Sequence, residues 1–159
     1  MTGEIVGAVV WGIIVAGGGA FLTELSPWYY ALKRPSWQPP DWLFGPAWTV
    51  ILALASLSLF LGLQHAQGDQ DRFLIAGLFV INGVLNLCWS PLFFKLRRPD
   101  WALVEVPLLW LSILAPILVT TPISFIAGVL LIPYLAWVSF AAVLNLSIVR
   151  LNRPFGANI

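Results

Sequence analysis

Five long apolar stretches constrain this chain more than any other feature of its sequence. They cover residues 5–25, 43–64, 73–94, 101–121 and 122–149. A helix needs about 20 apolar residues to cross the hydrocarbon core of a bilayer, and strands of a membrane barrel alternate in character over about ten. Because these stretches are continuously apolar, the sequence predicts an all-α protein. It is expected to be a single integral membrane bundle of five transmembrane helices over residues 1–159.

The composition excludes an ordinary soluble domain. Hydrophobic residues make up 60% of the chain and charged residues only 9%, whereas globular domains carry about 25% charged residues. A soluble fold of this length could not bury so much apolar surface, so the excess is expected to contact lipid. The sequence has no basic run that would suit a nucleic-acid backbone. We therefore expect the lipid bilayer as a partner and no nucleic acid.

Polar residues separate the apolar stretches. Three breaks carry charge, at residues 33–41, 65–72 and 95–100, while the fourth is only the uncharged turn 120–122. The stretches on either side of that turn are together more than twice as long as one span, so they are treated as two helices. Prolines lie inside the stretches, among them Pro91, Pro107, Pro116 and Pro133. We expect them to kink helices rather than end them, because neighbouring helices can satisfy the carbonyls that they free.

Lysine and arginine predict the orientation in the membrane. All but one of the eight basic residues fall in the first loop, the third loop or the C-terminal tail, which share one side of a five-helix bundle. Arg72 alone lies on the other side. Because basic loops face the cytoplasm, we expect the C-terminus inside and the N-terminus outside. The acidic start lacks the basic region of a cleaved signal peptide, so the first stretch is interpreted as a retained helix.

Residues 26–42 form the most unusual segment. Residues 26–49 contain four of the nine tryptophans and five prolines, which prevent a regular long helix. Two interpretations fit this composition. The aromatic residues, among them Trp37 close to Pro39, form an interfacial belt, or the segment is a rigid lid over a pocket. A belt needs no fixed backbone, so the density of prolines favours the lid.

Two helical stripes combine polar and aromatic residues. The third helix carries Asn82, Asn86, Trp89 and Phe93, and the fifth carries Tyr134, Trp137, Ala141 and Asn145. Steps of three and four residues put each stripe on one helix face. An asparagine in lipid would leave its amide unpaired, so both faces are expected to meet other helices. The stripes then serve either interhelical hydrogen bonds or a pocket.

Depth along the helices favours the pocket. With a rise of about 1.5 Å per residue, Trp48, Asn86 and Trp137 all fall in the leaflet beneath the proline-rich segment. An aromatic cavity with few hydrogen-bonding groups suits a flat, largely apolar ligand.

The remaining polar residues offer little chemistry. Glu105 is expected to snorkel to the interface near Arg97 and Arg98, and the alternative is a buried functional carboxylate. His65 is expected to be exposed to solvent, and Cys88 to be a small buried apolar residue. The sequence contains no phosphate-binding loop, catalytic triad or metal-ligand spacing. We therefore expect no metal site and no required cofactor.

Small residues recur on the first helix at four-residue spacing, as Ala8, Gly12, Ala16 and Ala20. Such stripes let two helices approach closely. The partner is either another helix of the bundle or a second copy of the chain in a dimer.

Three motifs resemble those of the translocator protein family, also called the tryptophan-rich sensory protein (TspO) family. They are WYYALKRPSWQPPDWLFGPAWT at 28–49, NLCWSPLFF at 86–94 and PYLAWVSFAAVLN at 133–145. The resemblance implies a five-helix bundle, often a homodimer, that binds porphyrins such as protoporphyrin IX and haem. It also implies a link to tetrapyrrole regulation and stress sensing. The short acidic N-terminus is compatible with a bacterial member in the cell membrane.

The candidate ligand-binding residues combine the stripes, the lid and this resemblance. They are Tyr29, Trp37, Pro39, Trp48, Asn86, Trp89, Phe93, Tyr134, Trp137 and Ala141. The pocket tyrosine and asparagine of the family match Tyr29 and Asn86. The two tryptophans implicated in porphyrin degradation match Trp48 and Trp137, which are the candidate catalytic residues if the protein is an enzyme. The sterol consensus of the family needs a tyrosine that residues 143–150 lack, so sterol binding through that motif is not expected.

Three hypotheses follow for the function. The first is a membrane receptor or transporter-like protein that binds porphyrins and related hydrophobic ligands. The second is an enzyme that degrades porphyrin in light with dioxygen. The third is a pore or exporter, but conducting paths usually carry charged residues, and only Glu105 lies well inside an apolar stretch.

Overall fold

Helices long enough to cross a membrane dominate the computed structural model, which describes residues 2–155. Five apolar spans are present: Thr2–Leu22, Asp41–His65, Asp69–Lys95, Pro99–Thr120 and Phe125–Asn152. The described residues contain no strand. The predicted all-α class and the five predicted transmembrane helices are therefore confirmed. The chain is a multi-pass integral membrane protein.

Several helices begin earlier, in polar sequence, than the apolar pattern indicates, whereas the first helix ends at Leu22 rather than Leu25 and the fifth span begins at Phe125 rather than Pro122. In chain order the helices are α1 (Thr2–Leu22), α2 (Pro27–Ala31), α3 (Asp41–His65), α4 (Asp69–Ser90), α5 (Pro99–Thr120), α6 (Phe125–Val129) and α7 (Ile132–Asn152). A π-helical turn, Pro91–Lys95, follows α4. Asp41 and Asp69 each lie in the first turn of their helix, where a carboxylate is favoured by the positive end of the helix dipole. Helix limits that are set from apolar sequence alone leave out such charged residues, although these residues are helical.

The prolines behave in two ways. Pro107 and Pro116 lie inside α5, as predicted for prolines that kink a helix. The same prediction is wrong for Pro133, because the fifth stretch is divided: α6 ends at Val129 and α7 begins at Ile132. Pro133 then occupies the first turn of α7. That position suits proline because the backbone N–H groups of a first turn have no partner within the helix.

The bundle is packed unevenly around its circumference. Contacts are extensive from α3 to α1, from α1 to α4, from α4 to α5 and from α5 to α7. Between α7 and α3, which would close the ring, they are few. The short helix α6 contacts both α3 and α5, and the hydroxyl of Ser58 on α3 donates to the carbonyl of Ala127 at 2.7 Å. The seam between α3 and α7 is therefore closed at the α6 end and loose at the other end.

Buried amides connect the helices, as the two stripes predicted. The Asn82 Nδ2 atom on α4 donates to the Ser112 hydroxyl on α5 at 2.9 Å. The Asn86 Nδ2 atom donates to the Tyr134 hydroxyl on α7 at 2.8 Å. The two amides find hydrogen-bond partners that lipid chains could not offer. The bonds therefore fix the rotation of α4 about its axis.

Two expectations about single polar side chains are wrong. Glu105 does not snorkel: the residue is 8% exposed, and neither carboxylate oxygen has a hydrogen-bond partner among the described residues. The rotation of α5 turns it towards the interior, on the same face as Leu109 and Ser112. Cys88 is exposed rather than buried, because it lies one turn beyond Val84 on the outer face of α4. Both outcomes depend on helix rotation.

The two ends of the bundle carry different polar contacts. Arg72 pairs with Glu4 at 2.6 Å, which joins the starts of α4 and α1. His65 lies near this end and is exposed, as predicted. Arg98 and Asp100 pair near the opposite end, which also holds the proline-rich segment. Which end faces the cytoplasm stays a prediction.

Candidate functional site

A cavity of about 440 Å³ lies inside the bundle at the end that carries the proline-rich segment. Residues of α1, α3, α4, α5 and α7 line it, together with Tyr29 and Gln38 from the segment. Pockets for small molecules and cofactors usually measure about 300–1,000 Å³. The cavity therefore has the size of a ligand site, and it occupies the end where the α3–α7 seam is loose.

Aromatic rings form the wall at that seam. The rings of Trp48 on α3 and Trp137 on α7 lie 6.5 Å apart at an interplanar angle of 82°. Phe44 contacts Trp137 edge-on at 5.6 Å, and Phe140 lies 5.4 Å from the same indole. Edge-to-face geometry at these distances is favourable for aromatic pairs. Side chains, rather than close backbones, thus fill the gap between the two helices.

A second aromatic group lines the side formed by α4. The rings of Trp89 and Phe93 are stacked at 5.0 Å with an angle of 26°, and Phe94 contacts both of them. The change from α-helix to π-helix at Pro91 lies between Trp89 and Phe93, and π-helical turns are frequent at functional sites. Together with Trp48 and Trp137, these rings give the mainly apolar cavity aromatic surfaces on two sides.

Two lining residues, Gln38 and Trp137, have a buried polar side-chain atom without a hydrogen-bond partner among the described residues. The Trp137 Nε1–H group is buried and donates to no atom among the described residues. A buried donor without a partner costs roughly 1–3 kcal/mol, which a ligand acceptor could recover. Asn86 lines the cavity while its amide donates to Tyr134. Asn86 and Trp137 can orient a bound molecule.

Hydrogen bonds organise the mouth of the cavity around Asp41. Its carboxylate accepts a 2.8 Å bond from the Tyr29 hydroxyl and longer bonds, both at 3.4 Å, from Arg34 and Gln38. Burial raises the pKa of Tyr29 above its ordinary value, and the neighbouring Asp41 carboxylate raises it further. Tyr29 therefore stays protonated and remains a donor at neutral pH.

A second set of bonds fastens the segment to the end of α7. The side chain of Asn152 accepts from the Lys33 backbone N–H and donates to the Lys33 carbonyl, each at 2.8 Å. Trp37 packs edge-on against Phe140 of α7 at 5.8 Å. The segment is thus held at two places, at Asp41 on α3 and at Asn152 on α7.

The structure brings most of the candidate site residues together. Seven of them line the cavity: Tyr29, Trp48, Asn86, Trp89, Phe93, Trp137 and Ala141. Trp37, Pro39 and Tyr134 do not line it. Trp37 is 47% exposed and packs against Phe140, and Pro39 is half-buried. Tyr134 is buried behind Trp48, 5.9 Å from its ring, so it supports the wall rather than forming its surface.

The contribution of α1 to the cavity lining was not predicted from the sequence. Ala16, Gly19, Ala20 and Thr23 line the cavity, opposite Gly45 and Thr49 of α3. The stripe of small residues was the available signal, but it was interpreted only as a packing surface. That interpretation holds for its first half, where Ala8 is 2% exposed and Gly12 lies against Ser56. The second half faces the cavity.

The cavity offers little for acid–base catalysis. Asp41 is the one carboxylate among the described lining residues, and it is held by the bonds at the mouth. The described residues contain no group of three or more histidine, cysteine or acidic side chains that could hold a metal ion. What the lining can do is surround a flat apolar molecule and offer it a few hydrogen bonds.

Known proteins share this sequence over most of its length. A profile of the TspO/MBR family matches residues 5–151. The tryptophan-rich protein TspO of Chlorobaculum tepidum is 41% identical, over 85% of this chain and 86% of its own. The tryptophan-rich sensory protein of Cereibacter sphaeroides is 36% identical, over 84% and 83% respectively. The human translocator protein is 34% identical, over 79% of this chain and 75% of its own.

Proposed function

Because the chain belongs to the TspO/MBR family, we propose that it is a membrane receptor or sensor that binds a tetrapyrrole in its aromatic cavity. Protoporphyrin IX and haem are the proposed ligands, and tetrapyrrole regulation or stress sensing is the proposed role. The observation that carries this proposal is the perpendicular pair of indoles, Trp48 and Trp137, in the cavity wall. A flat π-system can lie against one indole face and meet the edge of the other.

The polar groups suit the same ligand. The unpartnered Nε1–H of Trp137 can donate to an acceptor on the ligand. The carboxylates of a porphyrin need water or cations, and Arg34 lies at the mouth beside Asp41. We propose that the macrocycle occupies the aromatic interior while its carboxylates stay at this end of the cavity. No protein cofactor is needed for such binding.

Titration of the purified protein with protoporphyrin IX tests the proposal. Tryptophan quenching is expected to saturate, and Trp48→Leu and Trp137→Leu are each expected to weaken the affinity about tenfold, a loss of about 1.4 kcal/mol. Trp42→Leu is the matched control, because Trp42 is 71% exposed and does not line the cavity. Quenching that rises linearly without saturation, or equal affinities in all variants, would contradict the proposal.

A second candidate function is degradation of the bound porphyrin in light, with dioxygen as the oxidant. The separation of 6.5 Å between the rings of Trp48 and Trp137 favours it, because both indoles would lie beside the ligand. Illumination of the complex in air is expected to produce a new absorbing species. A Trp48→Phe/Trp137→Phe double variant that still binds porphyrin should fail to produce it. Identical bleaching by wild type and double variant would exclude the enzyme.

For the location we propose a bacterial cell membrane, with the proline-rich segment and the C-terminus on the cytoplasmic side. The distribution of lysine and arginine supports this orientation. Single cysteines introduced at Ser36 and Gln67, in a Cys88→Ser background, would test it by labelling from outside intact cells. The cysteine at position 67 should react and the one at position 36 should not.

A further inference from the structure

The exposed residues of the cavity lining lie almost on one line. They belong to α1, to the residues that follow it, or to the first three turns of α3: Ala16, Ala20, Thr23, Leu25, Gly45 and Thr49. The remaining lining residues are buried or half-buried. The cavity is therefore open along the boundary between α1 and α3.

The two helices diverge along this boundary. At Gly12 they touch, because a methyl group added there would collide with the Ser56 hydroxyl. Two turns further along α1, a methyl group added at Gly19 would meet no atom within 4 Å, and the same is true at Gly45 of α3. Small residues thus mark a close approach at one end of the boundary and an opening at the other.

The opening lies at the depth of the lipid chains. Gly45 and Thr49 are four and eight residues into α3, which places them roughly 6–12 Å below its start. Ala20 and Ala16 lie at a comparable depth below the end of α1, roughly 3–9 Å. The neighbouring surface is apolar, with Phe21 82% exposed and Val50 59% exposed. We therefore expect acyl chains to cover this part of the opening.

Two other approaches to the cavity are obstructed by side chains or by hydrogen bonds. Rings of Phe44, Trp137 and Phe140 lie in the seam between α3 and α7 and separate the cavity from an apolar groove on the outer side of the seam. Towards the aqueous side, the segment is fastened by Tyr29 to Asp41 and by two bonds between Lys33 and Asn152. Passage from water would require these bonds to break, whereas passage between α1 and α3 would not.

We propose that the opening between α1 and α3 is a portal through which the ligand passes sideways from the surrounding leaflet. This inference rests on the proposed function, since it names the route to the same cavity. It defines the ligand class as flat apolar molecules that partition into the membrane. Ala20 and Gly45 set the width of the portal because their small side chains leave the path clear.

Rate measurements on protein in phosphatidylcholine vesicles test the portal, with protoporphyrin IX as the probe. Ala20→Phe places a ring in the opening and is expected to slow association and dissociation by the same factor, about tenfold for about 1.4 kcal/mol of added barrier. Gly17→Phe is the matched control, because Gly17 is exposed on the same helix, has open space around it and does not line the cavity. It is expected to leave both rates unchanged.

Asn152→Ala tests the alternative route past the proline-rich segment. It removes the two bonds between Lys33 and Asn152 and leaves the portal unchanged. The portal predicts an unchanged association rate in this variant. Faster association in Asn152→Ala, together with normal rates in Ala20→Phe, would show entry past the segment and overturn the portal. So would a weaker equilibrium affinity of Ala20→Phe with a normal association rate, because the ring would then merely displace bound ligand.

The equilibrium titration distinguishes failure of the portal from failure of the proposed function. Saturable binding by wild type with no effect of Ala20→Phe on either rate overturns the portal alone. Absence of saturable binding by wild type overturns the proposed function and the portal together. An additional variant, Ala20→Gly, widens the opening and is expected to raise both rates.

Discussion

Two sides of one cavity are built in opposite ways. Between α3 and α7 the backbones are far apart, and large rings such as Trp137 and Phe140 fill the gap. Between α1 and α3 the helices touch at Gly12 and then separate, and the lining there consists of small residues such as Ala20 and Gly45. Side-chain volume, more than the distance between the helices, therefore decides how far each wall is open.

The largest expected effect comes from the point where α1 and α3 touch. Gly12→Leu should destabilise the protein by about 1–3 kcal/mol, because the added side chain has no room beside Ser56. Gly19→Leu on the same helix should not, since its side chain would enter the open part of the boundary. Thermal denaturation in detergent would compare the two variants. Equal losses of stability would contradict the divergence of the helices.

The second-largest effect is expected on the rate of ligand exchange, when the wall between α3 and α7 is opened. Phe44→Ala removes a ring that lies against Trp137, so dissociation of protoporphyrin IX is expected to accelerate about tenfold. Phe73→Ala is the control, because Phe73 is 84% exposed on α4 and does not line the cavity. Stopped-flow quenching would measure both variants. An unchanged rate in Phe44→Ala would mean that this ring does not seal the seam.

Removing one polar atom from the aromatic wall should have a smaller effect. Trp137→Phe keeps a ring in place but loses the unpartnered Nε1–H, so affinity is expected to fall about fivefold, or about 1 kcal/mol. Trp110→Phe is the control, because its Nε1–H donates to Ser139 away from the cavity. If both substitutions weaken binding equally, the indole N–H of Trp137 has no special role.

The smallest effect is expected from a substitution at the boundary between α1 and α3 that preserves the width of the opening. Thr49→Val replaces a hydroxyl that donates to the Gly45 carbonyl at 2.9 Å with a methyl group of similar size. Binding and exchange rates should stay within about twofold, a difference of roughly 0.4 kcal/mol. A large change in this variant would indicate that hydrogen bonding, rather than width, governs this wall.

Much of the fold could be predicted because it follows from local properties of the chain. The five spans follow from the length of apolar runs, and the inward rotation of α4 follows from the need of Asn82 and Asn86 for partners. The same spacing placed Trp137 and Ala141 correctly on the inner face of α7. It could not place Tyr134, because residues on one face can line a cavity or lie behind its wall.

Other features depend on how the helices meet, which a single sequence does not encode visibly. Glu105 is buried because of the rotation of α5, although its position near a helix end predicted the interface. The division of the fifth stretch before Pro133 reflects contacts of α6 with its neighbours. Gly12 and Gly19 illustrate the same limit: one marks a contact and the other an open space, yet the residue type is identical.

A structure of the protein in a lipid environment with protoporphyrin IX bound would show whether the ligand occupies the cavity. We expect the macrocycle inside the bundle, against the indoles of Trp48 and Trp137, with one edge towards the gap beside Ala20 and Gly45. Porphyrin found only on the lipid-facing surface of α3 and α7, with the interior unchanged, would contradict it.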